Sequence, residues 1–96
     1  MPLIFEWDPK KAAANRRKHR VDFEEAKSIF GDPNELMVSD AEHSHNEERC
    51  VSVGESGEGR LLLTVYTQSE NVIRLISARE ADGKEIAEYR KRRGAP

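Results

Sequence analysis

Residues 49–79 read RCVSVGESGEGRLLLTVYTQSENVIRLISAR, and the fold turns on how this segment is divided. Three runs, RCVSVG (49–54), RLLLTVY (60–66) and VIRLISAR (72–79), either alternate apolar with polar residues or are almost continuously apolar. The pieces between them, ESGEG and TQSEN, are rich in turn-forming residues. Apolar runs joined by turns this short predict an antiparallel meander, because parallel neighbours need a long crossover. LLLTV belongs in its middle, since both faces of that run are apolar and a central strand is covered on both sides. VIRLISAR adds a problem, since it carries Arg74 and Arg79. A guanidinium stays charged at any ordinary pH and must find a carboxylate, a phosphate or water. In an unbroken strand side chains alternate, so Arg79 is expected on the face of Ile73, Leu75 and Ser77, and Arg74 opposite with Ile76 and Ala78, unless a bulge intervenes.

Working outward, LIFEW (3–7) reads as a short strand closed by Asp8-Pro9. Asp8 suits an N-cap and Pro9 the first helical position, predicting a helix from Pro9 to about Lys18. Asp22 and Glu25 stand at capping-box spacing and open a second helix through about Phe30, whose apolar face is Phe23, Ala26, Ile29 and Phe30. Gly31-Asp32-Pro33 stops it. ELMVS (35–39) is a further strand, and DAEHSHNEE (40–48) a polar connector. After the meander, Asp82 and Glu85 repeat the capping-box spacing and start a last helix through about Arg92, with Ile86 and Tyr89 facing inward. The order is β-α-α-β-β-β-β-α: an α+β fold, a mainly antiparallel sheet packed by helices, with one domain over 1–96.

The chain has 96 residues, enough for one thin core. No apolar stretch reaches the roughly 20 residues of a membrane span, and MPLIFEWDPKK has no leader-like pattern, so no membrane association and a cytoplasmic protein are expected. The one cysteine, Cys50, lies in an alternating run and reads as a small buried hydrophobe. Net charge is −2, distributed as +2 over residues 1–30, −7 over 31–59 and +3 over 60–96. Basic clusters occur at 10–20 (KKAAANRRKHR) and 90–93 (RKRR), suited either to phosphate neutralisation or to plain solvated helix faces.

FEWDPKKAAANRRKHRVDFEEA, ERCVSVG, GRLLLTVYT and IRLISAR, in this order, closely resemble the BrnT family of bacterial type II toxins, most specifically in FEWD, in NRRKH leading into VDFEEA, and in the strand ending ISAR. The resemblance implies a RelE-like fold and a metal-independent endoribonuclease that inhibits translation and needs no cofactor. It also implies a BrnA-type antitoxin with a ribbon-helix-helix domain, a 2:2 complex, and contact with operator DNA only through the antitoxin. The chain departs from the family pattern at Ser69, where the family often has an arginine, and after ISAR at Glu80 and Asp82, where it commonly has a basic and a small polar residue. Those departures support an alternative: a weakened homologue acting as an antitoxin-binding co-repressor.

RNA cleavage without a metal needs a base for the 2′-hydroxyl proton, cations for the charge growing on phosphate, and an acid for the leaving 5′-oxygen. Arg79, at the end of a strand and in the ISAR motif, is the first candidate for the cation, and Arg60, at the start of the central strand, the second. His19 is the candidate for proton transfer, although a histidine at a helix C-terminus also serves as a cap. Glu48 is a candidate site-orienting carboxylate. Lys18, Arg74, Tyr66 and Tyr89 are candidate RNA contacts, with two competing readings: Arg74 paired to Glu6 or Glu48, and the tyrosines in the core. His43 and His45 lack a third spaced ligand, so no metal site is expected.

Overall fold

The computed structural model describes residues 2–38 and 49–93. Its elements run β1 (Ile4–Glu6), α1 (Pro9–His19), α2 (Phe23–Lys27), a 3-10 helix (Ser28–Gly31), β2 (Leu36–Val38), β3 (Arg49–Glu55), β4 (Leu61–Ser69), β5 (Val72–Glu80) and α3 (Gly83–Arg93). One five-stranded sheet has the spatial order β1-β5-β4-β3-β2, which places β4 at the centre. β2 to β5 are antiparallel neighbours, and β1 joins the edge of β5 in parallel, Phe5 beside Ile73 and Glu6 beside Arg74. Among the described residues, no helix is long and apolar enough to cross a membrane.

Helices cover both faces. On one side α1, α2 and the 3-10 helix bury Val21, Phe23, Ala26 and Ile29 against Leu62, Tyr66, Ile73, Leu75 and Ala78. Trp7 meets Phe23 edge-on at 5.9 Å and so anchors β1 to the helices, while Phe30 stands perpendicular to Tyr66 at 4.9 Å. Gly54 is required where the 3-10 helix lies on β3, because a Cβ there would sit 3.0 Å from the Ile29 Cβ. On the other side α3 lays Tyr89 over Val51, Val53 and Leu63. The Tyr89 hydroxyl donates to Asp32 Oδ2 at 2.6 Å, the oxygen that also accepts the Glu55 N–H at 2.8 Å, tying α3 to the end of β3.

Helix ends follow the local chemistry with one exception. Asp8 accepts from the Lys10 N–H at 2.8 Å with Pro9 following, and α1 closes at Arg20 in the left-handed region, φ 59°. At α3 the capping box is complete: Asp82 Oδ1 accepts the Glu85 N–H at 2.9 Å, and Glu85 Oε1 accepts the Asp82 N–H at 2.8 Å. At α2 it does not form. Asp22 makes no side-chain cap there, its carboxylate lying 3.4 Å from Arg16 Nε, and the Glu25 carboxylate is turned into the protein and cannot reach back. The second helix ends at Lys27 and tightens into the 3-10 turn.

The expected alternation in β5 is broken. Tyr66 pairs with Leu75 and Val65 with Ser77, leaving Ile76 without a cross-strand partner. One extra residue reverses the parity of the strand beyond it. Ile73, Leu75 and Ala78 therefore all bury on the α1 side, while Arg74, paired with Thr67, and Arg79, paired with Leu63, share the α3 side with Ser77. The assignment of the two arginines to opposite faces is corrected by this bulge.

Asn15 holds the strand just past the bulge. Its side-chain amide donates to the carbonyls of Ala78 (2.8 Å) and Val21 (3.0 Å), and its Oδ1 accepts the Ala78 N–H at 3.0 Å. Asn15 is buried, so truncation strands these backbone groups. Asn15→Ala is expected to lower unfolding stability by about 3 kcal/mol, read as a shift in urea midpoint at unchanged slope.

Candidate active site

The α3 side of the sheet carries a row of polar side chains set by register. Glu6 on β1, Arg74 on β5, Thr67 on β4 and Arg49 on β3 are successive cross-strand neighbours. Arg49 and Arg74 flank Thr67 and, two strand spacings apart, stand about 10 Å from each other at the backbone. Both are exposed, and Thr67 is half-buried. Arg74 Nη1 lies 3.4 Å from Glu6 Oε1, with both side chains 51% exposed. That ion pair is loose and solvated, of the kind that stabilises little. The row containing Arg79 is four β4 residues away, about 13 Å along the strand.

Arg79 is held far more tightly. Its Nη1 donates to Glu85 Oε1 (2.9 Å) and to the Glu80 carbonyl (3.1 Å), and its Nη2 donates to Glu85 Oε2 (2.9 Å). The carboxylate that clamps it is the one that caps α3. Of the five N–H donors of a guanidinium, three are thereby engaged; among the described residues, Nε–H and the second Nη2 hydrogen have no acceptor. Those two lie along one edge of the planar group. The hydrogen bonds and charge of Glu85 push the Arg79 pKa above its ordinary value, against burial, so the cation is permanent.

Arg60 does a different job on the other side of the sheet. Its Nε donates to Glu25 Oε2 at 2.9 Å, its Nη2 donates to Glu25 Oε1, and Nη2 also reaches the Arg20 carbonyl at 3.2 Å. Ser56 donates to Glu25 Oε2 at 2.7 Å. The pair joins α2, the β3–β4 turn and the end of α1, with the Glu25 side chain only 4% exposed. Arg60 is thus turned away from the face of Arg79.

Lys18 and His19 end α1 and so stand on the α1 side, exposed and half-buried respectively, across the sheet from Arg79. Tyr66 is enclosed in the core, its hydroxyl 2.7 Å from Ser52 Oγ, and burial pushes its pKa up. Tyr89 is buried beneath α3. Neither ring presents a face to a base. Glu48, His43 and His45 lie outside the described residues. The structure therefore places Arg74 and Arg79 on one face, about 13 Å apart along the strand, and Arg60, Lys18 and His19 on the other. Sequence reading passes over Arg49 and Thr67, whose only signal is register with β5. It takes Glu85 and Glu25 for helix caps alone.

The Arg60 hydrogen bond and charge hold the Glu25 carboxyl below its ordinary value, against burial, which acts the other way. A carboxyl with a depressed folded pKa stabilises fully above its unfolded pKa, about 4.3, and loses that contribution as pH falls through the folded value. Glu25→Gln is expected to flatten the loss of stability below about pH 4.3 relative to the wild type, measured by urea titrations across pH 2–7.

A family model described as "Ribonuclease toxin, BrnT, of type II toxin-antitoxin system" matches residues 7–85. Among solved structures, the 1.1 Å crystal structure of the Brucella abortus ribonuclease toxin BrnT is similar with a TM-score of 0.65 and 18% sequence identity, covering 83% of this chain and 97% of that one. That likeness speaks for the fold. No match was found among curated proteins.

Proposed function

We propose, from the premise that this chain belongs to the BrnT family of ribonuclease toxins of type II toxin-antitoxin systems, that it is a metal-independent endoribonuclease of the cytoplasm whose active face is the α3 side of the sheet. The observation that carries the reading is the bulge at Ile76, which brings Arg74, Ser77 and Arg79 to one face beside α3.

In the proposed reaction the 2′-oxygen of one nucleotide attacks its own 3′-phosphorus. The bond to the 5′-oxygen of the next nucleotide breaks as that oxygen takes a proton from water, leaving a 2′,3′-cyclic phosphate and a 5′-hydroxyl. Negative charge grows on the non-bridging oxygens, and a planar fork with two free donors suits that charge without a metal. Arg79 has this role. Arg74 and Arg49, flanking Thr67, hold the strand through its phosphates. Glu48, directly before Arg49 in the chain, is the carboxylate to test for the 2′-hydroxyl proton. Arg60, Lys18, His19, Tyr66 and Tyr89 are not part of this site.

Induced expression of the wild type is expected to arrest growth, and Arg79→Ala, shown by thermal melting to remain folded, to release the arrest. In vitro the same variant should cleave RNA about 100-fold more slowly, as removal of one charge-stabilising group does elsewhere. Arg74→Ala should weaken RNA binding and make log affinity fall less steeply with log salt, by about 0.7 in slope for each phosphate no longer neutralised. Growth unaffected by the wild type would favour the alternative, an antitoxin-binding co-repressor, which the charge-lowering residues Ser69, Glu80 and Asp82 support.

Family membership also supports inhibition of translation and neutralisation by a BrnA-type antitoxin with a ribbon-helix-helix domain. That antitoxin would carry the operator contact and, being dimeric, would bring two toxins together. Light scattering of the co-purified pair is expected to give a 2:2 mass; a 1:1 particle contradicts this arrangement.

A further inference from the structure

We infer that Glu85 is a positioning residue for Arg79: by gripping one edge of the guanidinium it fixes the adjacent edge, Nε–H with Nη2–H, as a fork for two oxygens of a phosphodiester. The inference rests on the ribonuclease reading and deepens it.

Three observations converge on Glu85. Its two oxygens take one hydrogen bond each from Nη1 and Nη2 of Arg79, both 2.9 Å, so the plane of the group is set as well as its place. Glu85 is itself immobilised, since Oε1 also accepts the Asp82 N–H at 2.8 Å and its own N–H is held by Asp82 at 2.9 Å. The clamp therefore inherits the rigidity of the α3 N-terminus. Finally, the Arg79 side chain remains 32% exposed while that of Glu85 is 17% exposed, so the clamped guanidinium still reaches solvent.

A carboxylate in this place works against simple attraction of RNA, because it offsets the charge that a phosphate would meet. What it supplies instead is orientation, and orientation acts on the reaction step more than on binding. A mere surface staple has no such signature. Loss of Glu85 should lower kcat while leaving KM unchanged or reduced.

The experiment compares wild type, Glu85→Gln, Glu85→Asp, Arg79→Ala and the Glu85→Gln/Arg79→Ala double variant on a mixed-sequence, fluorescently quenched RNA, with thermal melting of each. Glutamine keeps the oxygen that serves the Asp82 N–H and Arg79 Nη1, preserving the cap, but turns an NH2 group toward Arg79 Nη2 and so breaks the two-point grip. Aspartate keeps the charge but is one methylene too short to reach. Both are expected to lower kcat about 10- to 100-fold without raising KM, and the double variant to be no slower than Arg79→Ala. Either Glu85 variant cleaving with wild-type kcat, a rise in KM with kcat kept, or a further loss in the double variant would overturn the inference. Wild-type protein that leaves RNA intact overturns the ribonuclease reading and this inference with it. Arg79→Ala cleaving like the wild type overturns the role given to Arg79.

Discussion

A strand has two backbone edges, and β5 has a neighbour on its outer edge only as far as Arg74, where β1 stops. The Asn15 amide takes over beyond that point. By accepting the N–H and donating to the carbonyl of Ala78, it meets both groups much as another strand would. Its further bond to the Val21 carbonyl fixes how the chain turns from α1 into α2. With Ala78 pinned to the α1 side and Ile73 and Leu75 packed there as well, β5 must absorb one residue between Leu75 and Ala78. The bulge at Ile76 and the shared face of the two arginines follow from that constraint.

Two arginine–glutamate pairs flank the sheet, and they use the same chemistry to different ends. Arg60 engages Glu25 through its Nε edge and adds the Arg20 carbonyl, closing three segments together. Arg79 engages Glu85 through the Nη1–Nη2 edge, which leaves its Nε–H without an acceptor among the described residues. Which edge is occupied separates an arginine that completes a fold from one that can meet a ligand. The carboxylates differ in burial, Glu25 at 4% side-chain exposure and Glu85 at 17%, while the two arginines are exposed alike, at 31% and 32%.

Much of this was legible in the residues. The element order, the central β4, the caps at Asp8 and Asp82 and the inward Tyr89 all follow from local signals of spacing and turn chemistry. What failed was what depends on distant partners. Glu25 has the spacing of a capping residue, yet Ser56 and Arg60, far along the chain, draw it inward. The bulge leaves no mark in VIRLISAR, because the demand for it comes from Asn15. The Arg49–Thr67–Arg74 row exists only once three strands are in register. Of the two partners considered for Arg74 in a structural pair, Glu6 comes within reach through the parallel β1–β5 contact, and the pair is too exposed to secure the fold.

The bulge also alters how related chains should be read. Because the face that Arg79 occupies is decided by the number of residues between Leu75 and Ala78, identity at the arginines is a poor guide to whether a relative retains this surface. A homologue with both arginines but one residue fewer in this strand would direct one of them into the helices on the far side. A homologue in which Ile76 is replaced by another residue of similar bulk would lose nothing. In aligning such sequences, a single-position gap here carries more structural information than several substitutions around it.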